Sequence, residues 1–193
     1  MRMIDPDGWD ARYRTDPDPF SVDSSWYERR KLEVTLASLA RERYGRAWDC
    51  AAGTGHLAAA LADRCDQVLA TDASGEAVRI AARRTAKLAG VRTGLARLPD
   101  RPDGADRVDL TVVSEVLYYL AEDERQRCLA MLARQRGELV CVHWRHLPHD
   151  AHLSGAEATA ELGTALTVAG WTPLVEHQDP DFVLGSWHSG ASR

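Results

Sequence analysis

The chain predicts an α/β domain built on a doubly wound, mostly parallel sheet, with helices on both faces and an antiparallel hairpin strand at its C-terminal end. Short apolar runs alternate with helix-period segments from residue 47 to residue 168, the pattern of successive β/α units. The run Val108–Ser114 is apolar and β-branched without alternation, as a parallel strand buried on both faces should be. Thr172–His177 and Phe182–Trp187 are strand-like runs split by a turn carrying Asp-Pro-Asp, which reads as a hairpin.

The elements follow in order. Residues 1–23 are rich in Asp, Pro and Arg, have little apolar rhythm, and read as an arm that orders only where something pins it. Residues 24–193 read as a single domain. Ser25-Trp26-Tyr27-Glu28 has the form of a capping box: the serine hydroxyl serves the backbone three residues on, and the glutamate reaches back. A helix follows to about Arg43, with Leu32, Leu36 and Leu39 on one face, and Gly45 stops it. Strand Ala47–Ala51 leads to helix Leu57–Arg64, and strand Val68–Thr71 leads to helix Gly75–Leu88, which Ser74 can cap. Val91–Ala96 is a weaker strand. After Val108–Ser114 come a helix over Glu122–Gln135 and a strand over Glu138–His143. Ser154-Gly155-Ala156-Glu157 is a second capping box, opening a helix to Val168.

At 193 residues the chain can bury a full core without staples. Its net charge of −5 argues against a broad nucleic-acid footprint. The four cysteines, Cys50, Cys65, Cys128 and Cys141, lie far apart with no C-x-x-C, the usage of buried free thiols in a cytoplasmic protein. There is no signal-peptide pattern and no apolar run near about 18 residues, so no membrane span is expected. The expected partner is a small-molecule substrate, with neither nucleic acid nor membrane, for a monomer or homodimer.

The most informative stretch is Arg46 to His56. An apolar run ends in Asp49. Ala51 and the Gly53-Thr54-Gly55 turn follow, and then an alanine-rich helix pattern begins at Leu57. Small residues let a ligand lie against bare backbone, and the helix start presents unpaired N–H groups. The glycines are too few for the G-x-G-x-x-G of a dinucleotide site, and an acid four residues before Gly53 suits an amino-bearing ligand better than a phosphate. About twenty residues on, the strand Gln67–Asp72 ends in a second acid, placed to take ribose hydroxyls. Acid, small turn and acid together point to S-adenosylmethionine.

Asp49-Cys50-Ala51-Ala52-Gly53-Thr54-Gly55, Asp72 and Ser114-Glu115-Val116-Leu117-Tyr118-Tyr119 resemble the class I S-adenosylmethionine-dependent methyltransferases. Ser24 to Lys31, Ser114 to Leu120 and Val142-His143-Trp144-Arg145 are similar to the nodulation protein S-like branch, with the likeness running from about Ser24 to Trp187. The resemblance implies a Rossmann-like seven-stranded sheet and S-adenosylmethionine as cofactor, leaving as S-adenosylhomocysteine. It implies N-methylation of an amino sugar or a related secondary metabolite, since the name-giving members methylate the free amine of a chitooligosaccharide. The first turn glycine of the family is Ala51 here. Where relatives often carry an acid for the adenine amino group, this chain has Arg97-Leu98-Pro99, and arginine cannot accept that hydrogen bond. Asp100 or a backbone carbonyl is then left to serve the adenine.

The same resemblance places the methionine carboxylate near Trp26, Tyr27 and Arg30, where a guanidinium can match its two oxygens. Asp49 lies toward the amino group behind Ala51, Gly53 and Gly55. Asp72 holds the ribose, beside Ala73, with Arg97 and Leu98 toward the adenine. Ser114 lines the sulfonium region. An amine must be neutral to attack, so Glu115, Tyr118 and His143 are the candidates to hold or remove its proton. Tyr119, Trp144, Arg145 and His146 are expected on the substrate side, with Trp144, Trp187, Tyr118 and Tyr119 able to stack on sugar faces or to pack in the core. His143, His146, His149 and His152 recur every third residue, but Pro148 interrupts them and no metal is expected. No lid domain is encoded, so the pocket roof must come from the N-terminal arm and the Arg145–Leu153 loop. The competing readings are an O-methyltransferase on a sugar or natural-product hydroxyl, a methyltransferase acting on RNA, and a catalytically silent methyltransferase fold that binds without turnover.

Overall fold

A computed structural model describes residues 6–190. The helices are α1 (Pro6–Thr15), α2 (Trp26–Ala37), α3 (His56–Leu61), α4 (Gly75–Thr85), α5 (Glu122–Leu132) and α6 (Gly155–Val168). The strands are β1 (Tyr44–Asp49), β2 (Cys65–Asp72), β3 (Val91–Leu95), β4 (Leu110–Ser114), β5 (Glu138–Trp144), β6 (Trp171–Gln178) and β7 (Phe182–Ser189). They form a seven-stranded sheet in the order β3-β2-β1-β4-β5-β7-β6. β1 to β5 pair in parallel, and β7 runs antiparallel to both β5 and β6.

β4 and β5, buried up to their last residues, are the most apolar strands, as expected near the centre of such a sheet. One face packs Trp48, Val113, Leu139 and Cys141 against Leu129 and Leu132 of α5 and Leu162 and Leu166 of α6. The other packs Ala47, Val112, Val140 and Phe182 against Ala58 and Leu61 of α3, with Val34 and Leu36 of α2 alongside. All four cysteines are buried and free. No helix among the described residues is long and apolar enough to cross a membrane.

The elements come out largely as the pattern places them, with informative differences. The antiparallel strand β7 lies inside the sheet, and the edge belongs to β6, which carries Pro173 and a bulge between Pro173 and Val175. A proline has no N–H to give a second neighbour, so this strand suits an edge. The helix begun at Ser25 ends at Ala37, because Ser38 Oγ turns back onto the Thr35 carbonyl at 2.8 Å and the chain leaves the axis well before Arg43. The capping box at Ser154 is complete, whereas at Ser25 only the serine half forms, accepting from Glu28 N–H at 3.4 Å.

The N-terminal arm holds a helix that the apolar rhythm does not announce. α1 is pinned at two places: Asp10 accepts from Ser74 Oγ at 2.5 Å and from Glu76 N–H at 3.1 Å, and Arg12 pairs with Asp150 at 2.8 Å. Residues 1–5 of the arm lie outside the described range.

Candidate functional site

Asp49, Asp72, Ser114 and Trp144 close β1, β2, β4 and β5 at one edge of the sheet, and a cavity of about 910 Å³ opens there. The strand order reverses between β1 and β4, and ligands in open parallel sheets bind at such a point beyond the strand carboxyl ends. The roof is made by α1 and the segment after it, with Trp9, Arg12, Tyr13 and Phe20, and by the loop after β5, with Leu147, Pro148, His149 and Asp150. The Arg12–Asp150 pair ties the two halves of the roof together, and Trp9 meets Tyr119 edge-on at 5.0 Å.

The turn after β1 fixes the floor. Gly53 and Gly55 hold φ of 52° and 83°, the left-handed region. A Cβ on Gly55 would stand 2.9 Å from that of Ala81, and one on Gly53 would stand 3.2 Å from the Tyr13 hydroxyl. Asp72 is braced by the same turn, accepting from Gly53 N–H and Ser74 N–H, each at 2.9 Å. Asp49 differs. It is fully buried, lines the cavity, and neither carboxylate oxygen has a hydrogen-bond partner among the described residues. Burial, helped by the charge of Asp72, pushes its carboxyl up to about 7. A buried acceptor in this condition is costly unless a ligand brings the donor. The Tyr27 hydroxyl is likewise buried on the cavity wall without a partner.

A second group stands at the end of β4. Glu115 adopts a left-handed φ of 53°, strained for a non-glycine residue, which turns its carboxylate under α2. One oxygen takes a short contact from Lys31 Nζ. The other takes a short contact from the Tyr118 hydroxyl and a 2.8 Å bond from Trp144 N–H. Lys31 is buried, also donates to Glu28 at 3.0 Å, and sits 4.9 Å over the Tyr27 ring. Burial pushes Glu115 up, but the charge of Lys31 and the bonds from Lys31 and Tyr118 outweigh it and hold the carboxyl below its usual range. Burial, reinforced by the Glu115 charge, pushes the Tyr118 phenol well up, so it stays protonated.

Several expected site residues line this cavity: Tyr27, Asp49, Ala51, Gly53, Asp72 and Ala73 around the turn, Arg97, Leu98 and Ser114 beyond it, and Glu115, Tyr118, Tyr119 and Trp144 at the far end. Others do not. Trp26 is 67% exposed on the outer face of α2. Arg30 makes its carboxylate pair with Asp179 of the β6–β7 turn, lying over Trp26 and Phe182, and so points away from the cavity. Arg145 also serves that turn, donating to the Asp179 carbonyl at 2.6 Å. His146 packs on Trp144 at 4.9 Å outside the lining, and Gly55 shapes the turn from behind. Trp187 is core, closing over Gly185 and Gly163.

His143 is the clearest correction among the proposed proton carriers. It is fully buried behind the cavity wall, and its Nε2 accepts from Leu117 N–H at 3.3 Å. Its Nδ1 lies 3.1 Å from Thr159 Oγ1, whose own proton goes to the Gly155 carbonyl, so Nδ1 carries the hydrogen. Burial pulls the imidazole down to about 4. It is a neutral brace for the Leu117–Tyr119 turn. Arg97 is engaged by Glu124 at 2.8 Å, and Glu124 rather than the exposed Asp100 reaches the cavity. His149 is on the rim with a side chain 84% exposed, and among the described residues no cluster of three His, Cys, Asp or Glu side chains is placed to hold a metal ion.

Sequence reasoning missed Glu28 and Lys31 as site residues. The signal was present: Glu28, Lys31 and Thr35 recur at helical spacing on one face of α2, and Lys31 and Thr35, not its leucines, are the buried positions.

The sheet order, the parallel strands with one antiparallel insertion, and a cavity over the β1–β4 reversal define the class I methyltransferase fold. Comparison with known proteins agrees: a methyltransferase-domain family model matches residues 47–135. A Pseudomonas syringae structure assigned to the methyltransferases is 36% identical, covers 84% of this chain and 99% of its own, and superposes with a TM-score of 0.72. The chain belongs to the methyltransferase family. Nodulation protein S of Rhizobium tropici is 28% identical, with the match covering 78% of this chain and 66% of that protein, so this chain spans about two thirds of that relative. The structure of the N-methyltransferase NodS from Bradyrhizobium japonicum in complex with S-adenosylhomocysteine, 20% identical, superposes with a TM-score of 0.80 over 96% of this chain and 98% of its own.

Proposed function

We propose that this protein is an S-adenosylmethionine-dependent N-methyltransferase acting on a small-molecule amine, with an amino sugar or a related secondary metabolite as the acceptor class. One observation carries the cofactor reading: the unpartnered, fully buried carboxylate of Asp49 beneath the Gly53 turn. The donor set fits the group. Asp49 would receive the methionine ammonium, and the unpartnered Tyr27 hydroxyl would serve its carboxylate in place of Arg30. Asp72, already oriented by two backbone N–H groups, would accept from the ribose hydroxyls. Glu124 lines the cavity, as Leu98 does, with one oxygen engaged by Arg97, supporting it as the partner for the adenine amino group. When bound, S-adenosylmethionine supplies a methyl group already activated on a sulfonium.

The chain's task is then to bind, align and exclude water. The α1 roof and the Leu147–Asp150 loop cover the cavity, and Trp9, Tyr119 and Trp144 offer aromatic faces on which a sugar or flat metabolite can lie. Cations on the cavity wall are already paired, Arg12 with Asp150, Lys31 with Glu28 and Glu115, and Arg97 with Glu124, which leaves none of them free for an anionic acceptor. This charge balance supports an amine acceptor over a phosphate or carboxylate.

The test is calorimetric titration with S-adenosylmethionine and S-adenosylhomocysteine, followed by methyl transfer from labelled cofactor to glucosamine and other amines. Binding at micromolar concentrations that Asp72→Ala abolishes is the expected result. Absence of binding by either ligand would sink the enzyme reading and favour a silent fold.

A further inference from the structure

The group that receives the acceptor amine is not settled by naming Glu115, because every feature of Glu115 describes a carboxylate already spent. Lys31 occupies one of its oxygens, and Tyr118 and Trp144 N–H occupy the other. Lys31 in turn is engaged by two carboxylates and faces the Tyr27 ring, so its three donors have directions to go within the protein. Glu28 closes the series. It lines the same cavity, donates its backbone N–H to Ser25, and uses Oε1 for Lys31. Its Oε2 takes no hydrogen bond among the described residues. The glutamate half of the Ser25 capping box, which would have consumed this side chain at the helix end, is not formed.

One lysine between two carboxylates leaves one negative charge over, and the oxygen free to express it is Glu28 Oε2. We infer that Glu28 is the catalytic carboxylate that receives the acceptor ammonium and takes its proton, while Glu115 and Lys31 position it. This rests on the amine-methyltransferase reading above. In the reaction, an acceptor R–NH3+ gives one proton to Glu28 Oε2 and becomes R–NH2. The nitrogen lone pair then forms the N–C bond to the methyl group as the C–S bond breaks with its electron pair passing to sulfur. The product leaves as R–NH2+–CH3, and the Glu28 carboxylic acid returns its proton to water. Charge and atoms balance without any further reactant.

The surroundings suit such a task. Burial raises the Glu28 carboxyl above the ordinary range; Lys31 pulls it down, and the charges of Glu115 at the end of β4 and Asp18 ahead of α2 push it up again. A carboxylate raised above the ordinary range is a better proton acceptor than an ordinary surface glutamate.

The experiment uses the intact protein loaded with S-adenosylhomocysteine and measures binding of glucosamine against N-acetylglucosamine, which lacks the basic nitrogen. The wild type should prefer glucosamine by about tenfold or more, consistent with a charge-assisted bond. Glu28→Gln should erase that preference while S-adenosylhomocysteine binding changes by less than about twofold, and Glu28→Asp should recover part of it, which guards against a folding artefact. In turnover, Glu28→Gln should lower kcat/KM by about 100-fold and remove the limb of the pH profile that Glu28 sets. A preference for glucosamine that survives in Glu28→Gln overturns the inference. So does a wild type that binds S-adenosylhomocysteine yet neither binds nor methylates glucosamine, propylamine or benzylamine, and in that case the cofactor reading stands. Failure to bind S-adenosylhomocysteine at all would instead remove the functional reading beneath it.

Discussion

The two ends of the cavity are built on opposite electrostatic plans. At the Asp49–Asp72 end, one carboxylate is braced by backbone N–H groups and the other is buried with nothing to bond. At the Glu28–Glu115 end, a buried lysine, a phenol and a backbone N–H satisfy the charges internally, and of the four carboxylate oxygens only Glu28 Oε2 takes no hydrogen bond among the described residues. The first plan stores an unmet demand that a cationic ligand meets. The second holds a network that leaves one carboxylate oxygen over. A buried charge is tolerable under either plan only because something, ligand or neighbour, compensates it.

The largest effect should come from Lys31→Met. It leaves the partly buried Glu28 and Glu115 without a counter-charge, and breaking a buried pair costs about 3–5 kcal/mol, the upper bound here, read as a lower midpoint in thermal or denaturant unfolding. A variant as stable as its parent would show that the network is not what holds this end together. Asp49→Asn should weaken cofactor binding by about 100-fold, the range for removing one partner of a buried charge pair, yet raise the melting temperature of the ligand-free protein at pH 8. Opposite signs in the two assays are the signature of an unmet demand; loss in both would contradict it.

The pH dependence sharpens the same contrast. The Asp49 carboxyl rises from 3.8 in a free chain to about 7, so between those values the folded protein holds more protons than the unfolded chain. Its contribution to stability is therefore fully present below about pH 4 and is lost as pH rises through about 7. Unfolding measured from pH 4 to 8 should show this decline in the ligand-free protein, flattened in Asp49→Asn. Binding of a cationic ligand near pH 6 should release protons, visible as a dependence of the calorimetric heat on the buffer's ionisation enthalpy. The smallest effects belong outside the cavity. Arg30→Ala should leave S-adenosylhomocysteine binding within about twofold, while loosening the β6–β7 turn by about 1 kcal/mol or less, as for a partly exposed ion pair. A tenfold loss of binding would return Arg30 to the cofactor site.

The same contrast divides what was legible. The Asp49 end is local: strand, turn and helix follow one another from Tyr44 to Leu61, and Asp72 closes the next strand. Period and turn chemistry are properties of neighbouring residues, so this end could be read in order, down to the small residues of the turn. The Glu28 end joins α2, the close of β4, the turn at Tyr118 and the close of β5, residues up to 116 positions apart in Glu28 and Trp144. Arg30 and Lys31 are adjacent on a helix, and composition gives no reason to send one to Asp179 and the other into the cavity. The roof divides in the same way: its two sources, the arm and the loop after β5, could be read from the sequence, but the helix α1 could not, since it is polar in pattern and is held through Asp10 on Ser74 and Arg12 on Asp150.

The sequence by itself determined the alternation of strands and helices, the parallel centre, the glycine turn and the two acids that end β1 and β2, because these depend on periodicity and on which backbone angles each residue tolerates. Only the tertiary structure decided that β7 enters the sheet between β5 and β6, that His143 faces inward as a neutral brace, and that Lys31 rather than Arg30 meets Glu115. Those outcomes depend on which surfaces pack together and which buried charges find partners, and such energies exist only once distant segments share the same space.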